Sequence, residues 1–247
     1  MNDWLIPDWP APANVRGCVT TRSGGVSHGP YQSLNLGDHV QDDPAAVAEN
    51  RQRLVDSLGC RPAWLKQVHG ISVVEADPAQ VLEADASWTS TPGIAATIMT
   101  ADCLPVFFCN RQGTRVAAAH AGWRGLVSGV LEATAASLES STRDILVWFG
   151  PAIGPDAFEV GAEVREAFVS EHSRAKTAFK PSVNDGRFMA DIYQLARLRL
   201  ASIGIDAIYG GGWCTYTDTA RFYSFRRSSQ TGRLASLIWL TQPLDEA

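Results

Sequence analysis

The sequence predicts an α/β or α+β fold with mixed sheets. Short apolar runs typical of strands alternate with amphipathic helical segments along all 247 residues. No internal repeat, low-complexity segment or Pro/Gly/Ser-rich linker separates them. Because 45% of the residues are apolar, the chain can bury a large core. This length fits either one large domain or two fused lobes.

The first predicted helix covers Pro44–Leu58. Asp43 before it is a favourable N-cap, and proline suits the first helical position because it needs no amide donor there. Gly59 follows the last apolar residue and is a typical helix stop. These start and stop signals define the helix at both ends.

Four strand-like runs follow the helix. Residues 63–68 and 71–75 are short and are separated by Gly70. The apolar stretch over residues 93–110 is long enough for a helix, but a polar TADC segment and Pro105 interrupt it. We therefore expect two buried strands joined at a bend.

The second half alternates in the same way. Asp191 precedes a helical pattern over residues 191–203 and Gly204 follows it, which are a cap and a stop. Two further helices are expected over residues 162–172 and from about 122–124 to Leu138. Strands are expected over residues 115–120, Ile145–Phe149, 207–209, 221–225 and Leu234–Leu240.

Charge and cysteine content argue against several classes of protein. The net charge of −5 gives no general attraction to nucleic acid or anionic membranes. Residues 1–7 lack the features of a secretory signal, and no apolar run approaches the roughly 20 residues that cross a bilayer. An odd number of cysteines without framework spacing indicates a reduced compartment: Cys18, Cys60, Cys103, Cys109 and Cys214. We expect a cytoplasmic protein without nucleic-acid or membrane partners.

Polar segments that interrupt apolar runs are candidate functional sites, because buried polar groups need partners. Three of them each contain one potential zinc ligand: His69 in KQVHG, Cys103 in TADCLP and His120 in HAGWRG. A fourth is GPAIGP at residues 150–155. Three protein ligands from separate segments, with an open fourth position, are typical of catalytic zinc. The spacing matches no short finger pattern, so a buried cysteine with two hydrogen-bonded histidines stays open as the alternative.

The order of these segments resembles that of the YfiH family, which also appears as laccase-domain proteins, polyphenol oxidases and peptidoglycan editing factor. The resemblance spans nearly the whole chain. It rests on TTRSGGVS (20–27), SLNLG (33–37), ENR (49–51), QVHG (67–70), TADCLP (100–105), HAGWRG (120–125), GPAIGP (150–155), FEVG (158–161), CTY (214–216) and SFRR (224–227). Gln41, Phe225 and Ser228 stand where the family commonly has Gly, Tyr and Asp, and they leave the metal ligands intact.

The resemblance implies one domain over residues 1–247, with a four-layer α/β/β/α sandwich similar to the catalytic domain of cytotoxic necrotizing factor. It implies zinc on His69, Cys103 and His120, with Cu²⁺ as an alternative metal in vitro. The implied activity is phosphorolysis of purine nucleosides (adenosine, inosine, guanosine and methylthioadenosine), with adenosine deamination as a second reaction. The implied partners are these nucleosides and phosphate.

Phosphorolysis requires groups that bind phosphate. Guanidinium groups match phosphate geometry bidentately, so Arg51 and Arg226 are candidates, with Arg124 ranked below them. For each arginine, a surface or structural salt bridge is the alternative role.

Phosphorolysis also requires a proton for the departing base. Asp102 and Glu163 are candidates for this transfer, although Asp102 adjoins Cys103 and orienting a metal ligand is an equal alternative. Asn35 either caps a turn beside Gly37 or contacts ribose.

Three rival functions stay open. A copper-dependent polyphenol oxidase is disfavoured, since a blue-copper site already uses two His and one Cys and only His28, His39 and His172 remain for a further cluster. A cysteine hydrolase would use Cys103 as nucleophile with a histidine base, and could edit peptidoglycan precursors by removing a misincorporated amino acid from a UDP-muropeptide. A non-enzymatic metal-binding protein is the third.

Overall fold

The computed structural model describes residues 3–242. Within this part of the chain there are fifteen strands and five α-helices. The strands are β1 Val15–Val19, β2 Arg61–Ala63, β3 Leu65–Lys66, β4 Val73–Glu75, β5 Leu82–Glu83, β6 Ala86–Thr89, β7 Ile94–Thr100, β8 Leu104–Asn110, β9 Val116–Ala121, β10 Ile145–Phe149, β11 Glu159–Gly161, β12 Phe179–Pro181, β13 Arg187–Ala190, β14 Ile208–Gly210 and β15 Leu234–Leu240. The helices are α1 Pro44–Leu58, α2 Trp123–Ser128, α3 Val130–Ser137, α4 Ala162–Glu171 and α5 Ile192–Ser202.

Two large sheets pack against each other at the centre. One has the order β1-β15-β7-β2, the other β14-β10-β8-β9-β6-β4, and each contains parallel and antiparallel pairs. A hydrophobic cluster between them unites residues of both sheets, such as Ile98 with Phe107. A second cluster joins the outer face of the four-stranded sheet to α1, and a third joins the outer face of the six-stranded sheet to the other helices. The order of layers is therefore α/β/β/α, and the predicted fold is confirmed.

The central strands are apolar on both faces because each face meets a core layer. In β8, Val106 and Phe108 pack toward the helices, while Phe107 and Cys109 pack toward the other sheet. All seven residues of β8 are buried. This burial explains why the strand has a continuous apolar run instead of an alternating pattern.

Helix α1 has the predicted bounds. The Asp43 carboxylate accepts a hydrogen bond of 2.9 Å from the amide of Ala45, which would otherwise lack a partner in the first turn. Gly59 ends the helix with φ of 65°, a left-handed conformation that glycine adopts without steric cost. Leu54 anchors the helix in the outer hydrophobic cluster.

The single helix predicted from about residue 122 to Leu138 is wrong, because the chain breaks it into α2 and α3. Gly129 lies between the two with φ of 104°. Its amide donates to the carbonyl of Gly125 at 3.0 Å and ends α2. A left-handed glycine thus redirects the chain before α3 begins.

Two strand predictions also need correction. The run over residues 63–68 is two strands, since β2 pairs with β7 and β3 pairs with β5. Residues 221–225 form turns, and the amide of Phe222 donates to the carbonyl of Asp218. The apolar side chains that resembled a strand, Phe222 and Tyr223, are buried and anchor this loop.

The five cysteines are free, and Cys18, Cys60 and Cys109 are buried core residues as expected. No helix within residues 3–242 combines the length and the apolar character that a bilayer span requires. Residues 1–2 and 243–247 lie outside the described residues, so part of the N-terminal prediction is not addressed. The single-domain prediction and the cytoplasmic location stay predictions.

Candidate metal centre

The three predicted ligands meet at one point. The ligand atoms of His69, Cys103 and His120 all lie within 4.8 Å of one another. The Cys103 Sγ is 3.9 Å from His69 Nε2, and the two imidazole rings pack edge-to-face with centroids 4.7 Å apart. Two imidazole nitrogens and one sulfur are a donor set that suits zinc or copper. Among residues 3–242, this is the one such group of His, Cys, Asp and Glu side chains.

The sheet positions two of the ligands and a loop positions the third. Cys103 directly precedes β8, and His120 lies in β9, where it pairs with Pro105 of β8. The strand expected over residues 63–68 would place His69 directly at its end, but His69 lies three residues beyond β3 in a left-handed conformation with φ of 61°. The chain reverses at His69, and this turn directs the imidazole to the ends of β8 and β9.

Asp85 holds the turn and His120 together. Its fully buried carboxylate accepts hydrogen bonds from the amides of Val68, His69 and Gly70 at 3.1, 2.9 and 2.6 Å. It also contacts His120 Nδ1 at 2.8 Å. With Nδ1 engaged as a donor, His120 Nε2 keeps a lone pair for a metal.

Glycines make the close approach of these segments feasible. A Cβ on Gly122 would lie 2.7 Å from His69 Cδ2 and 3.2 Å from Cys103 Sγ. A Cβ on Gly125 would lie 2.7 Å from the carbonyl oxygen of Gly70. The glycines of the HAGWRG segment thus leave room for the ligands contributed by the other two segments.

Electrostatic interactions in the metal-free site favour a charged pair, the Cys103 thiolate and the protonated His120 imidazole. Burial favours the neutral forms, but His120 and His69 stabilise the thiolate and lower the pKa of Cys103 to about 6. The thiolate and the Asp85 carboxylate in turn outweigh burial and raise the pKa of His120 to about 9. The sulfur is thus prepared to bind a cation, which displaces the proton from His120.

The three ligands open into a pocket of about 370 Å³. This volume lies within the range of small-molecule sites, roughly 300–1,000 Å³. Its walls combine apolar side chains with arginines and a few polar groups: His39, Gln67, Met99, Thr100, Ala101, Asp102, Ile153, Phe158, Phe225, Arg226 and Arg233. His120 is buried, Cys103 is half-buried and His69 is exposed, so solvent reaches the ligands from the His69 side.

Asp102 and Arg226 lie at the pocket, as expected. The Asp102 carboxylate accepts from Thr215 Oγ1 at 2.6 Å, from Ser224 Oγ at 3.0 Å and from the Arg226 amide at 2.6 Å. A carboxylate that accepts three hydrogen bonds acts as an acceptor and a support. These contacts favour the positioning role of Asp102 over proton transfer.

Asn35 and Arg51 lie outside the residues that line the pocket. Asn35 is buried and caps the turn at Gly37, whose amide donates to its Oδ1 at 2.9 Å. Arg51 donates to the carbonyl of Leu36, pairs with Asp38 at 3.3 Å and stacks on Trp64. The structural alternatives therefore describe both residues better than direct substrate contact.

Arg124 and Glu163 do not line the pocket either. Arg124 stacks on the adjacent Trp123 ring, with its Cζ 4.4 Å from the centroid. Glu163 lies in the first turn of α4, and its carboxylate folds back over Gly161. Both residues have local structural partners.

Sequence reasoning missed Asp85, His39, Gln67 and Arg233. Asp85 directly precedes β6 in the EADAS segment (83–87), so the same search for interrupted apolar runs contained a signal for it. Gln67 is in the QVHG motif, and its amide exchanges two hydrogen bonds of 2.8 Å with the backbone of Met99. Arg233 carried no local signal, because its place at the pocket depends on contacts distant in sequence.

Comparison with known proteins identifies the family of the chain. A family model described as multi-copper polyphenol oxidoreductase laccase matches residues 16–241. A protein of Pseudomonas aeruginosa named purine nucleoside phosphorylase is 70% identical over 97% of this chain and 99% of its own. A protein of Escherichia coli named purine nucleoside phosphorylase YfiH is 54% identical over 97% of this chain and 100% of its own.

Solved structures share the fold. A Neisseria meningitidis protein described by the family model DUF152 superposes with a TM-score of 0.95 at 50% identity, covering 97% of this chain and 100% of that one. YlmD of Geobacillus stearothermophilus superposes with a TM-score of 0.86 at 30% identity, covering 97% and 96%. The chain therefore belongs to the laccase-like YfiH family.

Proposed function

We propose that the chain is a zinc-dependent purine nucleoside phosphorylase for adenosine, inosine, guanosine and methylthioadenosine, with adenosine deamination as a second activity. The observation that carries this proposal is the convergence of His69, Cys103 and His120 at a pocket of substrate size. The names of the Pseudomonas and Escherichia relatives support phosphorolysis.

The pocket walls suit a purine nucleoside. Phe158, Phe225, Ile153 and Met99 offer apolar surface against which a planar base can stack. The same walls carry Gln67, Arg226 and Arg233, whose side chains offer hydrogen-bond donors to ribose and phosphate. A small number of fixed polar groups in an apolar pocket sets the orientation of a ligand.

In phosphorolysis a phosphate oxygen forms a bond to ribose C1′ while the bond from C1′ to the base nitrogen breaks. The base leaves with the electron pair and takes up a proton. Arg226 serves the anionic partner in this proposal: its Nη1 donates to the carbonyl of Glu159 at 2.8 Å, which holds the guanidinium at the pocket wall. Asp102 fixes the Arg226 backbone beside Cys103.

A zinc ion on these three ligands would supply a Lewis acid with an open coordination position that can hold water or a substrate oxygen. The chain's own residues set up this position. Asp85 orients His120, Gly122 keeps space beside His69 and Cys103, and Gln67 ties the His69 turn to β7.

Phosphate dependence tests the proposal. Purified protein loaded with zinc is incubated with adenosine, with and without phosphate, and the products are separated by chromatography. We expect adenine and ribose 1-phosphate with phosphate, and inosine and ammonia without it. His120→Ala should lose both zinc and these products while keeping the fold, and His28→Ala, an exposed histidine away from the pocket, is the matched control. Equal adenine formation with and without phosphate would overturn phosphorolysis.

A cysteine hydrolase that edits peptidoglycan precursors is the second candidate, because Asp85, His120 and Cys103 form an acid–base–nucleophile series. His120 Nδ1 contacts Asp85, and its interaction with Cys103 favours the thiolate. A zinc-bound thiolate is a poor nucleophile, so chelation separates the two candidates. Activity of the metal-free protein on a UDP-muropeptide would favour the hydrolase, and activity only with zinc on nucleosides would favour the phosphorylase.

A multicopper oxidase is disfavoured despite the description of the family model. Within the described residues, the single candidate metal group uses two of the five histidines. A multicopper enzyme needs a further histidine-rich cluster beside a site of this kind. Metal analysis after anaerobic purification tests this: one zinc per chain is expected, and oxidase turnover that requires several coppers would contradict it.

A further inference from the structure

We propose that Arg233, assisted by His39, binds phosphate in the pocket together with Arg226. This inference rests on the proposed phosphorolysis and names the subsite of the second substrate. Arg233 was not among the phosphate candidates of the sequence, and it lies on the wall shared by the metal-ligand pocket and an adjacent pocket of about 440 Å³.

The backbone builds a fixed place for Arg233. Its amide donates to Asn35 Oδ1 at 2.8 Å, and its Nη1 donates to the carbonyls of Thr231 and Gly232 at 3.0 and 3.1 Å. Gly37 makes room for the stem, because a Cβ there would lie 2.7 Å from Arg233 Cγ. The guanidinium is thus anchored on one side and keeps further N–H donors for a ligand.

Arg233 has no carboxylate within ion-pair distance among residues 3–242, whereas Arg51 and Arg115 each have one. Burial has the largest effect on the Arg233 guanidinium and lowers its pKa. Asp102 is the carboxylate that lines the same pocket. Asp102 is already engaged by three donors. A half-buried cation without a direct partner, facing a pocket, favours an anionic ligand.

His39 adds a second hydrogen-bonding group on the same side. It lines both pockets together with Arg233 and Phe225. Burial, followed by the charge of Arg233, lowers the pKa of His39, so its imidazole is neutral at neutral pH. Asp38 contacts His39 Nδ1 at 3.5 Å and is held by Arg51 at 3.3 Å. A neutral imidazole keeps one N–H donor, which can serve an anion bound at Arg233.

The position of Arg233 also suits phosphorolysis. Arg233 lines the same pocket as Cys103 and the other two candidate metal ligands. A phosphate held by Arg233 would therefore meet a nucleoside bound at the metal ligands. Arg226 lies on the same pocket but is anchored to the carbonyls of Ala157 and Glu159, so the two guanidinium groups approach the ligand from separate segments.

Steady-state kinetics tests this assignment. Zinc-loaded wild type, Arg233→Met and Arg233→Lys are assayed with inosine while inorganic phosphate is varied. We expect Arg233→Met to raise the KM for phosphate about tenfold or more, with the KM for inosine changed less than about twofold, because one charge-assisted contact is lost. Lysine keeps the charge without the bidentate geometry, so the rise should be smaller.

A control variant and a binding measurement separate this inference from the proposed function. Arg143→Met, at an exposed residue away from the pocket, should match the wild type in every assay. Phosphate should also raise the Tm of the wild type but not of Arg233→Met. An unchanged KM for phosphate, or equal protection of both proteins, would overturn the inference. A wild type without phosphorolysis would refute the proposed function, while the Tm comparison would still test the anion site.

Discussion

Replacing Asp85 by Asn tests whether one buried carboxylate organises the metal centre. Asp85 Oδ2 accepts from the amides of Val68 and Gly70, and Oδ1 accepts from the His69 amide and His120 Nδ1. Asparagine replaces one of these oxygens with an NH₂ group, which is itself a donor. In either orientation of the amide, two N–H groups therefore face a donor instead of an acceptor.

The expected loss of stability follows from the number of N–H donors left without an acceptor. Leaving a buried donor unsatisfied costs about 1–3 kcal/mol, so two of them cost about 2–6 kcal/mol in the free energy of unfolding. If His120 changes tautomer, one donor is left unsatisfied and the cost is about 1–3 kcal/mol. If the NH₂ group faces His120 Nδ1, this nitrogen must accept, and the proton moves to Nε2, which can then no longer bind a metal. Losing such an orienting partner typically lowers metal affinity about 10–100-fold.

Urea unfolding of the metal-free protein measures the first effect, and zinc titration against a competing chelator measures the second. Asp8→Asn is the matched control, since Asp8 is exposed and makes no hydrogen bond or ion pair within the described residues. The reasoning is refuted if Asp85→Asn keeps zinc affinity within about twofold of the wild type and unfolds within about 0.5 kcal/mol of it.

Three further predictions address neighbouring features. Gly122→Ala should lower zinc affinity roughly tenfold or more while circular dichroism stays unchanged, because the new methyl group displaces His69; unchanged affinity would contradict this. Leu54→Ala should cost about 2–5 kcal/mol in urea unfolding with zinc content unchanged, since it empties a site in the core. In metal-free protein, alkylation of Cys103 should stay fast above a pKa of about 6 and slow as the pH falls through it, because the thiolate is protonated there. Mass spectrometry should show buried Cys109, with its pKa raised to about 12, unreactive across this range.

Local signals predicted much of the fold. Helix α1 has the bounds expected from Asp43, Pro44 and Gly59, because caps and stops act within one turn. Strands β10 and β15 also match, since both are short continuous apolar runs. Prediction failed where tertiary contacts decide the local structure, as at residues 221–225, where buried aromatic side chains anchor a loop instead of a strand.

The candidate site also contains residues that the sequence predicted and residues that it did not. The three candidate metal ligands were predicted because polar residues interrupt apolar runs, and the family resemblance implied that the three segments form one site. The residues around the ligands were harder to predict. Arg233 is held at the pocket by a hydrogen bond from its amide to Asn35, which is distant in sequence. Arg51 was a phosphate candidate because a guanidinium matches phosphate, with a salt bridge as the alternative, and its partner is Asp38. Asn35 was open between a turn cap and ribose contact, and it caps the turn at Gly37.

The position of β15 has a consequence for biosynthesis. This strand, Leu234–Leu240, lies between β1 and β7 and pairs with both, although it follows both of them in the sequence. On the ribosome, β1 and β7 are without their common neighbour until this segment has been translated. We expect the sheet to close only after this segment has left the ribosome, with slow folding that reflects pairing between distant segments. Exposed strand edges during this interval would make the unfinished chain prone to aggregation and dependent on chaperones.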